Sequence, residues 1–134
     1  MADKLTYEQA GRRIEDHFKE KWNGVTPIVY PNRKEDLGEV PMFGRMTIKP
    51  SRGRQVAVGG RMHRRTGVIF IQLFVEQGTG QNTIGALEEK ATRIFTDHAI
   101  PDIRLYDVGA NRIGHDGRGY YQSNVTANFD YDVA

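Results

Sequence analysis

The sequence predicts an α+β fold: a single domain with one mostly antiparallel mixed sheet and two helices packed on it. Three features predict it. Residues 7–22 and 84–98 carry apolar side chains at three- and four-residue steps, residues 67–76 form an almost unbroken apolar run, and residues 121–133 alternate apolar and polar throughout. The first pattern is that of amphipathic helices, the second of a strand buried on both faces, the third of a strand with one wet face. With the shorter strands between them the order reads α-β-β-(β)-β-α-β-β, which packs as two layers. The 134 residues suffice for one domain, which buries roughly two thirds of its unfolded surface.

The first helix is signalled at both ends. Thr6 and Gln9 form a capping box, Leu5 and Ala10 the hydrophobic staple beside it, and Asn23-Gly24 the stop. Tyr7, Ala10, Ile14, Phe18 and Trp22 share one face, while Glu8 with Arg12 and Glu15 with Lys19 form i,i+4 pairs on the other. Val25–Tyr30 is a short strand that Pro27 confines to an edge or to its own start. Pro31-Asn32 and the charged run Arg33–Asp36 make a loop. Phe43–Lys49 alternates as a strand, Pro50–Gly53 turns, and Gln55–Val58 offers a hairpin partner. Residues 51–66 together are predicted to form a flexible basic loop.

In the central strand, Gly67–Glu76, Val68, Phe70 and Phe74 lie on one side, and Ile69, Ile71, Leu73 and Val75 on the other. Gln72 alone interrupts, so cover is expected on both faces, from helices or from a subunit interface. Gly78–Asn82 is a loop and Thr83 the expected cap of the second helix. Its apolar stripe is Ile84, Leu87, Ala91, Ile94, Phe95 and His98, its end is Pro101, and its acids fall on surface-type positions. Ile103–Val108 is a further strand and residues 109–119 a glycine-rich loop. In the last strand Tyr121, Ser123, Val125, Ala127, Phe129, Tyr131 and Val133 face one way, and the polar partners face the other.

The net charge of +2 is unevenly spread. No acidic residue falls between Glu39 and Glu76, where Arg45, Lys49, Arg52, Arg54, Arg61, Arg64 and Arg65 all lie; from Asp97 onward six Asp face three Arg. One patch of each sign suits complementarity between copies or neighbours, and equally a nucleic-acid patch or a solvated surface. No window approaches the roughly 18 apolar residues of a membrane span, so no membrane role is expected. The start lacks the apolar core of a secretory signal, which predicts cytoplasmic synthesis without export. The absence of cysteine excludes disulfides and thiolate metal sites.

Catalysis finds no support in the residue pattern. Gly78-Thr79-Gly80 stands between strand and helix like a dinucleotide loop, but Thr83 occupies the third glycine position and the ribose-binding acid is missing, as is a phosphate-loop lysine. His17, His63, His98 and His115 sit in separate elements without metal-ligand spacing. Ser51 and Ser123 lack a nucleophile-elbow setting. The adjacent pairs Glu35-Asp36 and Glu88-Glu89 diverge. Asp130 and Asp132, about 7 Å apart on one strand face, are the one pair placed to hold a cation, with a solvated strand end as the plainer reading. No catalytic residue, metal or cofactor is expected.

The order of motifs nevertheless resembles that of a known family. A capped helix ends in Trp22-Asn23-Gly24, and Thr26–Asn32 gives an edge strand closing in Pro-Asn. A basic hairpin follows, then the apolar strand, the Gly78-Thr79-Gly80 loop, the second helix, and a long alternating strand ending in Asp130-Tyr131-Asp132. From about Tyr7 to Val133 this resembles the tail terminator (tail completion) proteins of long-tailed bacteriophages, the lambda-like group included. The resemblance implies a mixed α/β fold and a hexameric ring that caps the finished tail tube, ends its polymerisation and meets the head-completion proteins at the neck. It implies no enzymatic activity, no cofactor, and a place in the virion tail after synthesis in the host cytoplasm. Its motifs are architectural and transfer no residue roles.

A ring subunit needs complementary edges. The expected interface residues are Arg52, Arg54, Arg61, Arg64 and Arg65 on the basic side and Asp130 and Asp132 on the acidic side, toward other copies, the tail tube protein or a head-completion protein. Two alternatives stand beside this one: another head–tail connector or neck protein, and a nucleic-acid-binding accessory protein using the basic segment 45–65. Sequence-specific nucleic-acid binding is not expected, because the aromatic residues near the basic run read as core and the net charge is near neutral.

Overall fold

The computed structural model describes residues 5–31, 40–50, 54–55 and 63–133, with the backbone alone at 54, 55, 63 and 133. Helix α1 (Tyr7–Trp22) begins at the expected capping box: Thr6 Oγ1 accepts from the Gln9 N–H at 3.2 Å and Gln9 Oε1 from the Thr6 N–H at 3.0 Å. It ends at Asn23, whose left-handed φ of 52° lets its N–H reach the Lys19 carbonyl. Ala10, Ile14, Phe18 and Trp22 are buried, and Phe18 stacks against both Trp22 and Phe95. The Trp22 indole N–H is shared between the carbonyl and hydroxyl of Thr26, which fixes the turn into β1 (Ile28–Val29). Tyr7, expected on the apolar face, stays 47% exposed.

The sheet order is β1-β2-β4-β6-β5. β1 runs parallel to β2 (Met42–Pro50), and every other pairing is antiparallel: β2 with β4 (His63–Glu76), β4 with β6 (Tyr120–Val133), and β6 with β5 (Arg104–His115). The expected hairpin partner near residue 55 is instead β3 (Arg54–Gln55), which continues β2's line along β4, with Arg54 opposite Arg64.

Two expected loops are shorter than predicted. Residues 63–66 of the basic loop belong to β4, because β6 offers them pairing partners out to Val133. Most of the glycine-rich segment 109–119 is likewise strand: β5 runs to His115 against β6 and absorbs its glycines at irregularities between Tyr106 and Gly109 and between Arg112 and Gly114. The turn itself is only residues 116–119, where the Asp116 carboxylate accepts from the N–H groups of Arg118 and Tyr120. Residues 51–53 and 56–62 of the predicted basic loop lie outside the described residues.

Helix α2 (Gln81–Thr96) starts three residues earlier than a cap at Thr83 would place it. Gly80, at φ 93°, is the N-cap, and Thr83 sits inside the helix. Both helices cover the same sheet face. Met46, Ile69, Ile71, Leu73, Val75, Val125, Ala127 and Phe129 form its floor, and Ile84, Leu87, Ala91, Ile94 and Phe95 join α1 above it. Among the described residues no helix covers the opposite face. There Val68 and Phe70 are half-buried, and Phe74 is shielded by ring contacts with Phe43 and Tyr120.

Gly11 stands mid-way along α1 with no atom within 4 Å of the position a Cβ would take. A glycine in a helix interior costs about 0.5–1 kcal/mol relative to alanine. Gly11→Ala is therefore expected to raise the unfolding free energy from urea titration by that amount, and an unchanged or lowered value would show that the helix cannot take the Cβ without strain.

Candidate functional site

The residues expected at an interface do not all face the same way. On the helix-free face, Arg64 stands directly across from Asp132 and Arg104 across from Asp130. Arg64 Nε lies 3.4 Å from Asp132 Oδ1, Arg104 Nη2 lies 3.1 Å from the same oxygen, and Arg104 Nε donates to Asp130. Burial alone would raise the Asp132 carboxyl, but hydrogen bonds and charge from Arg104 and Arg64 outweigh it and hold it below the usual range. Burial opposes the charge on Arg104, and the two aspartates more than restore it. The acidic strand end and one of the basic residues thus neutralise each other within the chain. The position where Asp130 and Asp132 would bind a cation is taken by the Arg104 guanidinium.

Arg65 points to the other face, beside Tyr131 on β6. Arg52 and Arg61 lie outside the described residues, and of Arg54 only the backbone is placed. Beside Arg65, a cleft of about 370 Å³ opens between α1 and the sheet, lined by Tyr7, Gly11, Pro31, Ile48, Phe129 and Tyr131 among others. Tyr131 is 1% exposed, and its hydroxyl has no hydrogen-bond partner among the described residues. Burial raises its pKa against the opposing pull of Arg65, so the hydroxyl is a donor at neutral pH.

Glu88 corrects the expectation that α2's acids are superficial. It is buried on the helix's inner stripe, with Arg112 Nη2 3.0 Å from its Oε1, and Ser123 donating to Oε2. Burial would raise its carboxyl, but these hydrogen bonds and the Arg112 charge prevail and lower it. Gly85, one turn earlier, borders this guanidinium: a Cβ there would meet Arg112 Nη2 at 3.5 Å, an ordinary contact. The signal was present in the spacing, since position 88 falls four residues after Ile84 on the apolar stripe. Glu89 diverges outward to Arg93, as expected.

The histidines are brought together only in part. His17 Nε2 lies 2.9 Å from the Ile94 carbonyl, and its ring centroid is 6.4 Å from that of His98. Among the described residues, no three His, Asp or Glu side chains are grouped to hold a metal ion. The Gly78-Thr79-Gly80 loop borders a small cleft with Ile84, His115 and Tyr121; its Thr79 hydroxyl is used locally, donating to the Glu76 carbonyl at 2.5 Å. His115 ends β5 rather than standing in a loop.

The helix-free face carries a group of aromatic and basic side chains. Phe43 and Phe74 stack at 4.6 Å with Tyr120 edge-on, the Lys49 ammonium lies 5.2 Å from the Phe70 ring centre, and Arg45 and Tyr106 are exposed on the same face. Gln72, Asn124, Thr126 and Asn128 lie between them, half-buried.

No protein-family model matches the chain, and no curated protein matches it. Similarity appears at the level of solved structures. One whose name carries no functional wording superposes with a TM-score of 0.63 at 14% identity, covering 90% of this chain and 94% of that one. That likeness concerns the fold alone. Among the described residues no helix is long and apolar enough to cross a membrane.

Proposed function

We propose that this protein is a structural virion protein, a tail terminator that caps the tail tube of a long-tailed phage as a homo-hexameric ring. In that role it ends tube polymerisation and offers the surface on which a head-completion protein docks. The observation that carries the reading is the helix-free sheet face. An α+β sheet normally leaves such a face polar, whereas here the half-buried Val68, Phe70, Phe43 and Tyr120 and the exposed Tyr106 spread across it between polar side chains. Aromatic residues within a polar surround are the composition of protein–protein interfaces. The motif order from Tyr7 to Val133 supplies the identity of the assembly, and a fold of the expected class is consistent with it.

Native mass spectrometry tests the reading. Discrete six-fold species without nucleic acid, or capped tubes of limited length on mixing with a phage tail tube protein, are expected. A monomer that never caps tubes and shifts a labelled oligonucleotide in a salt-sensitive way would overturn it; Arg45, Lys49 and Phe70 would then be the binding face. Because Arg64 is engaged with Asp132, the informative charge reversal is Arg65→Glu. It is expected to keep the wild-type melting temperature and to weaken tube capping, and normal capping would remove Arg65 from the interface.

A further inference from the structure

The cleft between α1 and the sheet has three properties that together define a ligand. Its lining is largely apolar: Ala10, Ile48, Phe129 and the Tyr131 ring form it with Tyr7 and Pro31. Tyr131 on its wall carries one buried donor that has no acceptor among the described residues, its hydroxyl. A buried hydroxyl left unpaired is unfavourable, and an occupant that brings an acceptor relieves it. The third property is charge. Arg65 is exposed directly opposite Tyr131 on the neighbouring strand, where side chains stand about 4.5–5.5 Å apart at Cβ. Of the charged residues lining the cleft, Arg12 is paired with Glu8 at 2.9 Å and Glu15 is also engaged. Arg65 has no carboxylate partner among the described residues.

The shape selects among carriers of that chemistry. Along α1 the lining runs from Tyr7 through Gly11 to Glu15, a rise of about 12 Å. That matches about four residues of extended chain. Gly11 keeps the groove open at its middle, where an added Cβ would meet nothing.

We infer that this groove binds a short extended segment of a partner protein, apolar except for one acidic residue whose carboxylate accepts from the Tyr131 hydroxyl and pairs with Arg65. The choice of a protein ligand rests on the assembly reading above. Rings without peptide binding would remove the groove and spare that reading, and peptide binding by a protein that neither forms rings nor caps tubes would do the reverse.

The probe is a pool of N-acetylated, C-amidated tetrapeptides with Asp at the second position and Leu, Ile, Val or Phe elsewhere, followed by amide chemical-shift changes in the labelled full chain. Shifts are expected at Gly11, Ile48 and Tyr131. Replacing Asp by Asn in the pool, or Arg65→Gln in the protein, is expected to weaken binding roughly tenfold, the effect of one charge-assisted hydrogen bond. Tyr131→Phe is expected to weaken binding while leaving the free protein at least as stable, because the hydroxyl it removes was unpaired. Gly11→Leu should fill the groove and abolish the shifts. The inference fails if no shifts appear at millimolar peptide, or if the Asn pool and the Tyr131→Phe and Arg65→Gln proteins all bind as the originals do. Binding of 4-phenylbutyrate as tight as that of the peptides would assign the site to free carboxylates instead.

Discussion

Gly67→Ala is expected to destabilise the protein by about 1–3 kcal/mol, the usual effect of forcing extra volume into a packed core. A Cβ at this position would lie 2.5 and 2.7 Å from two carbons of the Phe129 ring and 2.7 Å from the Lys49 carbonyl oxygen. The ring has some freedom to move, but the carbonyl belongs to the β2 backbone, held against β4 by the pairing of Pro50 with Gly67. Relief therefore requires two central strands to separate. At roughly 3–5 °C per kcal/mol for a domain of this size, a thermal melt would show the loss directly. Gly44→Ala is the control. The tightest contact there is with the Ile28 side-chain end at 2.6 Å, which can rotate away, although the Gln72 carbonyl at 3.2 Å limits the relief. A smaller loss is expected for it, and a Gly67→Ala protein that melts with the wild type would show that the strands adjust freely.

That glycine also shows why the fold was more legible than the surface. Helix α1 is written in local signals: Thr6, Gln9 and Asn23-Gly24 act within a few residues of themselves and set its limits without reference to the sheet. The two longest strands follow from the apolar run in β4 and the alternation in β6, but their order across the sheet does not. Boundaries that depend on a neighbour were not readable. Gly109 and Gly114 look like loop residues until β6 supplies partners across from them, and Arg64 and Arg65 look like parts of a flexible loop until Asp132 and Tyr131 stand opposite. The same dependence hid the charge pairing. Arg64 and Asp132 are 68 residues apart, and nothing local indicates that the basic and acidic segments meet inside one chain. The Tyr131 hydroxyl falls on an apolar stripe in the sequence, and only the packing around it shows that it lacks a partner among the described residues.

Glu88→Gln is expected to lower stability by about 2 kcal/mol at pH 7, and the deficit should depend on pH. The carboxylate holds Arg112 on β5 and Ser123 on β6, so one side chain ties α2 to two strands. Hydrogen bonds to a charged group contribute about 1.5–3 kcal/mol. The Arg112 side chain is 37% exposed, which screens the pair and argues for the lower half of that range. Because the folded state holds the Glu88 carboxyl below its ordinary value, about 4.3 when unfolded, the native chain binds fewer protons there than the unfolded one. The stabilisation is thus complete above the unfolded value and is lost as pH falls through the lower, folded one. Urea midpoints of wild type and Glu88→Gln are expected to differ fully at pH 7 and to approach each other as pH falls from the unfolded value toward the folded one. Asp132, lowered in the same direction by Arg104 and Arg64, keeps a weaker acid dependence in the variant. Ser123→Ala should cost less than Glu88→Gln, since it removes a buried donor and leaves the carboxylate with Arg112. A gap between wild type and Glu88→Gln that stays constant from pH 7 to pH 3 would mean that Glu88 acts through packing alone and that its charge is not what joins the helix to the sheet.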